Sequence, residues 1–314
     1  METGSQALRK WFWRSLRLCV GIVSMYFVFH LVHPQELLEA LKSADHRFVL
    51  LALALLPLNI VAHGWKWHTM VLTIETKTGF HTSLGSYLYG VSLASITPGD
   101  VGEYLGRTTT IATERKLHLV GLVLLDRAQN LLIVAMLGIS SLALLFIQPR
   151  MFAIALVLLV WMLGCLMYFR LNAAKNIVAR IRFLRRAWIT DVFEAFEMLP
   201  SRTIGLTLIL SLAFYGTIIL QVYFLMSAFI TAKFVDVAIG YLALLFVKAL
   251  MPISIGDIGI REMSAVYFFS KLGIPSVAAV NVALLVFAMN VVLPAILGVF
   301  YMPRLRNSEN RETS

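Results

Sequence analysis

The sequence predicts an all-α integral membrane protein with about six transmembrane helices and two oppositely oriented re-entrant helical hairpins, related as an inverted repeat. Three observations carry this. Of 314 residues, 59% are hydrophobic and only 14% are charged, with a mean hydropathy of +0.81, far from the balance of a soluble domain. Several apolar runs approach the roughly 20 residues needed to cross hydrocarbon, and they are apolar all round rather than striped like the helices of a soluble core. Two apolar stretches also carry nearly the same polar insert, built on Gly-Asp-(Val/Ile)-Gly: Ser95 to Glu103 and Pro252 to Glu262.

In chain order, the first apolar run covers about 18 to 32. It follows a basic cytoplasmic segment, 1–17, that contains Arg9, Lys10, Arg14 and Arg17. No small-residue cleavage site of the usual kind follows and further spans do, so the run reads as a retained signal anchor. Pro34 to Phe48 reads as a short interfacial helix. Further spans are expected near 48 to 72, 118 or 128 to 147, 151 to 169, 203 to 230 and 276 to 302. The re-entrant hairpins are expected at 83–115 in the first half (18–170) and 237–271 in the second (203–303). Between the halves, the cytoplasmic segment 171–202 interleaves basic residues with Phe183, Leu184, Trp188, Ile189, Phe193 and Phe196; it reads first as an ordinary positive-inside loop lying on the membrane surface and second as a dedicated sensor of anionic lipid. The tail 304–314 is polar and expected to be cytoplasmic. No separate soluble domain is visible. Cys19 and Cys165 are isolated inside spans, without ligand or redox spacing, and read as packing residues.

The net charge of +10 is placed as the positive-inside rule requires, not as a face for nucleic acid. With the N-terminus in the cytoplasm, the outer side holds Lys42, Arg47, Arg150, Lys233 and Lys271. Arg107, Arg127, Lys248 and Arg261 lie near or within membrane depth. The remaining cations, Lys66 among them, fall on the cytoplasmic side. Both termini are then cytoplasmic. The first hairpin enters from the cytoplasm and the second from outside, the geometry of transporters with broken helices at a central site.

Prolines, glycines and acids at membrane depth are tolerated where unwound backbone is buried in protein or lines a polar cavity. Pro98, Gly99 and Gly102, with Pro252, Gly256 and Gly259, therefore mark breaks in membrane helices. Glu103 precedes Arg107 by four residues, and Asp257 precedes Arg261 by four, the favourable order for an intrahelical ion pair. Half-helices starting near Gly102 and Gly259 would direct free N–H groups inward, where a phosphate could bind, clamped by Arg107 and Arg261. Glu103, Asp257 and Glu262 would neutralise those arginines when the site is empty, or contact the cationic group of a headgroup that carries one, with Asp100 beside them. Asp126 and Arg127 open a polar cluster that ends at Asn130 and is expected to face the first hairpin. Lys248, read as deeply buried, is a counter-charge for Asp257 or Glu262. Adjacent Arg261 and Glu262 point about 100° apart on a helix and are expected to need other partners. His63 and His68 are poor metal-ligand candidates, and Trp65 and Trp67 beside them read as interfacial anchors, so neither a metal nor a cofactor is expected.

Two elements of the sequence resemble the lysylphosphatidylglycerol synthase transmembrane-region family. One is Pro-Gly-x-x-Gly-Glu-x-x-x-Arg, here Pro98 to Arg107. The other is Pro-x-Ser-x-Gly-x-x-Gly-x-Arg-Glu, here Pro252 to Glu262. Asp126-Arg127 stands where the family pattern has Glu-Arg. The resemblance covers roughly residues 10 to 303. It implies a membrane domain that, in bifunctional members, moves an aminoacylated phospholipid between leaflets. The few residues after Pro303 leave no room for the aminoacyl-transfer domain of those members, and no catalytic motif is recognisable, so no enzymatic activity is expected.

The expected function is movement of a phospholipid or polyprenyl-phosphate-linked lipid across a cell (inner or plasma) membrane, with an anionic headgroup or lipid-linked phosphate as ligand. The alternatives are a non-catalytic partner of a glycosyltransferase or lipid-modifying enzyme, and an intramembrane aspartyl enzyme using Asp100 and Asp257. The aspartyl pattern is imperfect, because Thr97 and Ser254 stand where its first glycine would be. A homo-oligomer is compatible with the sequence.

Overall fold

The computed structural model describes residues 34–170, 187–250 and 260–301, all within helices or their connections. The first predicted span, the Pro252 to Gly259 part of the second insert with Asp257, and the tail lie outside the described residues, as do Phe183 and Leu184. A short helix α1 (Pro34–Ser43) precedes the long α2 (His46–Val71). The interfacial helix thus ends before Phe48, because the Asp45 side chain accepts the Arg47 N–H and starts a new helix at His46. Helices α3 (Phe80–Ala94) and α4 (Gly102–Thr109) follow, joined through a tight turn at Pro98–Asp100. Then come α5 (Lys116–Phe146), α6 (Arg150–Arg170), α7 (Ala187–Glu197), α8 (Ser201–Ser227), α9 (Phe234–Leu250), α10 (Ile260–Lys271) and α11 (Ser276–Val299).

Five of these, α2, α5, α6, α8 and α11, are long and apolar enough to cross a membrane. They coincide with the five expected spans that fall among the described residues. Helix α9 is apolar over its 17 described residues, Phe234–Leu250.

Helices α3 and α4 form an antiparallel hairpin whose approach is set by glycine. A Cβ on Gly106 would lie 2.5 Å from the Gly90 Cα, and one on Gly102 would lie 2.3 Å from the Leu93 carbonyl oxygen. The turn bends because Gly99 and Asp100 both take left-handed backbone, at φ 60° and 56°. The hairpin is wedged between three neighbours. Trp67 of α2 donates its indole N–H to Ser86 Oγ at 3.1 Å. The C-terminal turn of α11 lies so close that a Cβ on Gly298 would meet the Leu88 carbonyl oxygen at 1.9 Å, and Ser92 Oγ donates to the Ala295 carbonyl. Helix α5 covers the remaining side.

The other end of the bundle is apolar. Val222 and Leu225 of α8, Leu244 of α9, Phe269 of α10 and Val282 of α11 form one continuous core. One polar knot interrupts the middle of the bundle. Asn59 Nδ2 donates to Gln221 Oε1 at 2.6 Å and to Asn290 Oδ1 at 3.0 Å, and Gln221 Nε2 donates to the Ala52 carbonyl at 3.0 Å. Asn290 lies in a π-helical turn, Ala288–Val292, within α11.

Between the halves, the described part of segment 171–202 packs on protein. Its described helix, α7, does not lay its apolar face on lipid: Ile189, Val192, Ala195 and Phe196 are buried. A Cβ on Gly121 of α5 would lie 1.9 Å from the Val192 carbonyl. A glycine facing a one-sided apolar helix makes α5 the better partner for that face, because the two backbones can touch.

Gly106→Val is expected to lower the thermal unfolding midpoint of the detergent-purified protein by several degrees, because the new side chain meets the α3 backbone. Gly205→Ala, whose Cβ meets nothing within 4 Å, should leave the midpoint unchanged. Size-exclusion recovery after a temperature series reads both.

Candidate functional site

Charge concentrates where the first hairpin meets α2 and α5. Glu103 and Arg107 of α4 pair, as their spacing predicts. The same arginine reaches across to Asp126 of α5, Nη1 to Oδ2 at 2.7 Å. Lys66 of α2 holds the other Asp126 oxygen at 2.7 Å and donates to Asn130 Oδ1 at 2.8 Å. Asp126 and Asn130 share one face of α5, so one ammonium engages both. Arg127 bonds Glu103 and also contacts Asp100, with Nη2 3.4 Å from the carboxylate and 3.1 Å from the backbone carbonyl oxygen.

Aromatic rings surround the cations. The Arg107 guanidinium lies 4.9 Å from the Trp67 ring centre and 5.1 Å from that of Tyr87, and Arg127 lies 5.4 Å from Tyr104. His63 is stacked on Tyr87 and meets the edge of Phe214. The hairpin backbone is tied in as well: Ser86 Oγ donates to the Arg107 carbonyl at 2.7 Å.

The N-terminus of α4 starts at Gly102 as expected, but the Gly102 N–H donates to Thr97 Oγ1 at 2.8 Å. At the other end, Lys116 Nζ donates to the Thr108 carbonyl at 2.9 Å and also to that of Ile111, covering carbonyls at the end of α4.

Lys66, expected on the cytoplasmic side by its position near a span end, is fully buried inside the charge cluster. A buried lysine needs a carboxylate, and Asp126 supplies it. Arg261 and Glu262 do pair, Arg261 Nε to Glu262 Oε1 at 2.9 Å. The 100° between adjacent positions describes where side chains leave the helix, and two long side chains curl across that gap. Lys248 is only partly buried, not sealed in. The buried Arg261 also lies 4.1 Å from the centre of the Phe287 ring.

Helix geometry predicts Glu103 with Arg107. Lys66 and the Asn59–Gln221–Asn290 knot escaped the sequence reading, although Asn59, His63 and Lys66 recur at helical spacing on one face of α2. The described residues thus join Asp100, Glu103, Arg107, Asp126, Arg127 and Lys66 in one cluster and place Arg261 with Glu262 on α10. Among the described residues no group of three His, Cys, Asp or Glu side chains is arranged to hold a metal ion.

Removing one partner of a buried ion pair costs about 3–5 kcal/mol, because the other charge is left in low dielectric. Lys66→Met is therefore expected to destabilise the purified protein far more than Arg127→Gln, whose side chain is partly exposed. The two midpoints, measured by thermal unfolding in the same detergent, compare them directly. Equal midpoints would refute the ranking.

The sequence model of the lysylphosphatidylglycerol synthase TM region matches residues 14–298. No curated protein and no solved structure matches the chain. The match includes every charged residue of the cluster and both helix breaks. This multi-pass helical membrane protein therefore belongs to the lysylphosphatidylglycerol synthase TM-region family.

Proposed function

We propose that the protein is a lipid translocase, carrying the polar headgroup of a phospholipid or a polyprenyl-phosphate-linked lipid between leaflets while the acyl or prenyl tails stay in the bilayer. The observation that carries this reading is the charge cluster at the first helix break. Six ionisable side chains from α2, the α3–α4 hairpin and α5 meet in a membrane bundle, where each unpaired charge costs about 2.5–3.5 kcal/mol at the hydrocarbon centre. A family whose name joins a phospholipid product to a membrane region supports the lipid.

The distribution of Lys and Arg supports a cell (inner or plasma) membrane with both termini cytoplasmic. Its two hairpins are re-entrant and inverted, entering from opposite sides. Arg107 and Arg261 organise the two polar breaks, and Glu103 and Glu262 neutralise them in the empty state. The reading requires no covalent chemistry. Asp126 and Glu103 are each held by two cations, which suits a fixed electrostatic frame better than a catalytic acid or base.

Leaflet-to-leaflet transfer of fluorescent phospholipids and a fluorescent polyprenyl phosphate, measured in proteoliposomes, tests the proposal. The native protein should exceed empty vesicles for at least one lipid. Arg107→Gln and Arg261→Gln variants that elute like the native protein should fall about tenfold or more, since a charge-assisted hydrogen bond contributes about 1.5–3 kcal/mol. Native transfer no faster than empty vesicles for every lipid would overturn translocation and favour a protein that supports a glycosyltransferase or another lipid-modifying partner.

A further inference from the structure

Gln129 of α5 is fully buried, and neither its Oε1 nor its Nε2 has a hydrogen-bond partner among the described residues. Both atoms are also sealed from water. Helical spacing puts Gln129 in line with Leu122, Leu125, Ile133 and Met136, all buried and apolar. An amide in such a wall gives up its bonds to water and gains none in return, so it penalises the packing seen here. The polar residues on either side of it in α5 are engaged: Asp126 by Lys66 and Arg107, and Asn130 by Lys66.

A hydroxyl lies along the same seam. Met136 and Ser140 of α5 meet Gly164 and Trp161 of α6. A Cβ on Gly164 would lie 2.4 Å from the Met136 sulfur, and Trp161 Nε1 donates to Ser140 Oγ at 3.2 Å. Positions 161, 164 and 168 share a helical face, as do 129, 133, 136 and 140, so the contact that joins α5 to α6 carries both Gln129 and Tyr168. Tyr168 is fully buried, with its hydroxyl 3.2 Å from Thr207 Oγ1 of α8. Thr207 donates its own proton to the Ile204 carbonyl at 2.8 Å, so Tyr168 donates and Thr207 accepts.

The seam is also built to move. Helix α6 is the least buried of the five spans. Residues 147–149 tie its first turn to the end of α5, whereas its last turn is held to α8 through the Thr207 hydroxyl. Between those ends, the contact is a methionine on a glycine, a pliant side chain against a bare backbone.

We infer that α6 takes two positions on α5 and that Gln129 selects between them. In the position seen here, the Tyr168 O–H donates to Thr207 and the Gln129 amide has no partner. In the other, the Arg170 end of α6 swings about the short α5–α6 connection, and the Tyr168 O–H donates to Gln129 Oε1. One hydrogen bond replaces another and the amide is relieved, so the two positions stay close in free energy, as alternation between states requires. The inference rests on the translocase reading for the use of the second position, but the two positions are detected without lipid transfer.

The experiment is fluorine NMR of the full chain in detergent, with fluorotryptophan at its six tryptophans. The Trp161 signal is the one lost in Trp161→Phe, and it reports the seam through the Ser140 bond. Gln129→Met is similar in shape but apolar. It removes the penalty in one position and the partner in the other, so the signal should shift towards the position seen here. Thr207→Val removes the acceptor of Tyr168 in that position and should shift the signal the opposite way. An exchange of intensity between two signals and the movement of one averaged signal are the same result at different exchange rates. The thermal midpoint of Gln129→Met should rise by about 2 °C or more. Its leaflet transfer should fall about threefold or more although the protein is more stable, a combination that no folding defect produces.

A Trp161 signal that neither variant moves, or that both move in the same direction, overturns the inference. So does a lower midpoint for Gln129→Met, which would mean that the amide is bonded in the position seen here. Unchanged transfer by that variant overturns the functional half. Opposite shifts in a protein whose native form transfers no lipid would sink the translocase reading and leave the two positions standing. Transfer that depends on Arg107, with an unmoved Trp161 signal, would do the reverse.

Discussion

A carboxylate buried among membrane helices is tolerable only when cations occupy its oxygens, and the arrangement of this bundle follows from how Asp126 meets that demand. One oxygen takes Lys66 from α2 and the other takes Arg107 from α4. Three elements distant in sequence are thereby fixed at one point. If Asp126 were lost, Arg107 would be left with Glu103 as its acid, and Lys66 would keep the neutral Asn130 amide oxygen but no counter-charge in contact. Such pairs are retained less for net stability than for the single arrangement they permit. Here that arrangement seats the short helix α4, eight residues long and unable to stand alone as an isolated helix.

A second, uncharged tie holds the remaining spans. The amides of Asn59, Gln221 and Asn290 link α2, α8 and α11, each contact worth about 0.6 kcal/mol on average inside membranes. The contribution is small beside an ion pair, but it fixes register. Asn290 reaches this point from a π-helical turn, where one extra residue per turn rotates the side chain relative to a regular helix. The C-terminal part of α11 then runs back along α3 with glycine against backbone, so the last span and the first hairpin share one alignment.

How much was legible in the sequence depended on distance along the chain. The break at Pro98 to Val101 could be read because proline and glycine announce it locally, and Gly99 and Asp100 do take left-handed backbone. The Glu103–Arg107 pair could be read because four residues close a helical turn. The Arg107–Asp126 pair joins residues 19 apart on separate helices, and no periodicity encodes it. The burial of Lys66 was not legible because a lysine near a span end satisfies a compartment rule as well as a burial rule, and only the facing carboxylate of Asp126 reveals the second. Asn59, Gln221 and Asn290 are lone polar residues in three spans, silent until those spans are placed side by side. The partner of α7 was not legible, because composition gives amphipathicity without naming what covers it, and Gly121 of α5 supplies that surface only once the two helices are side by side.

The stiffness of α4 is unevenly distributed, and this bears on what the charge cluster can do. Its inner end is locked on three sides: Gly106 against Gly90, Arg107 against Asp126, and Lys116 over the last carbonyls. Its outer end rests on the Thr97 hydroxyl, a turn of left-handed residues and the partly exposed Arg127. A rearrangement of side chains at the outer end would thus leave the buried Lys66–Asp126–Arg107 unit intact, because each of those groups keeps its partner. Were the order reversed, with Asp126 at the surface and Asp100 inside, any such rearrangement would expose an unpaired charge to hydrocarbon. The gradient of burial along the cluster is therefore the physical condition that lets these charged side chains sit in a membrane bundle without unfolding it.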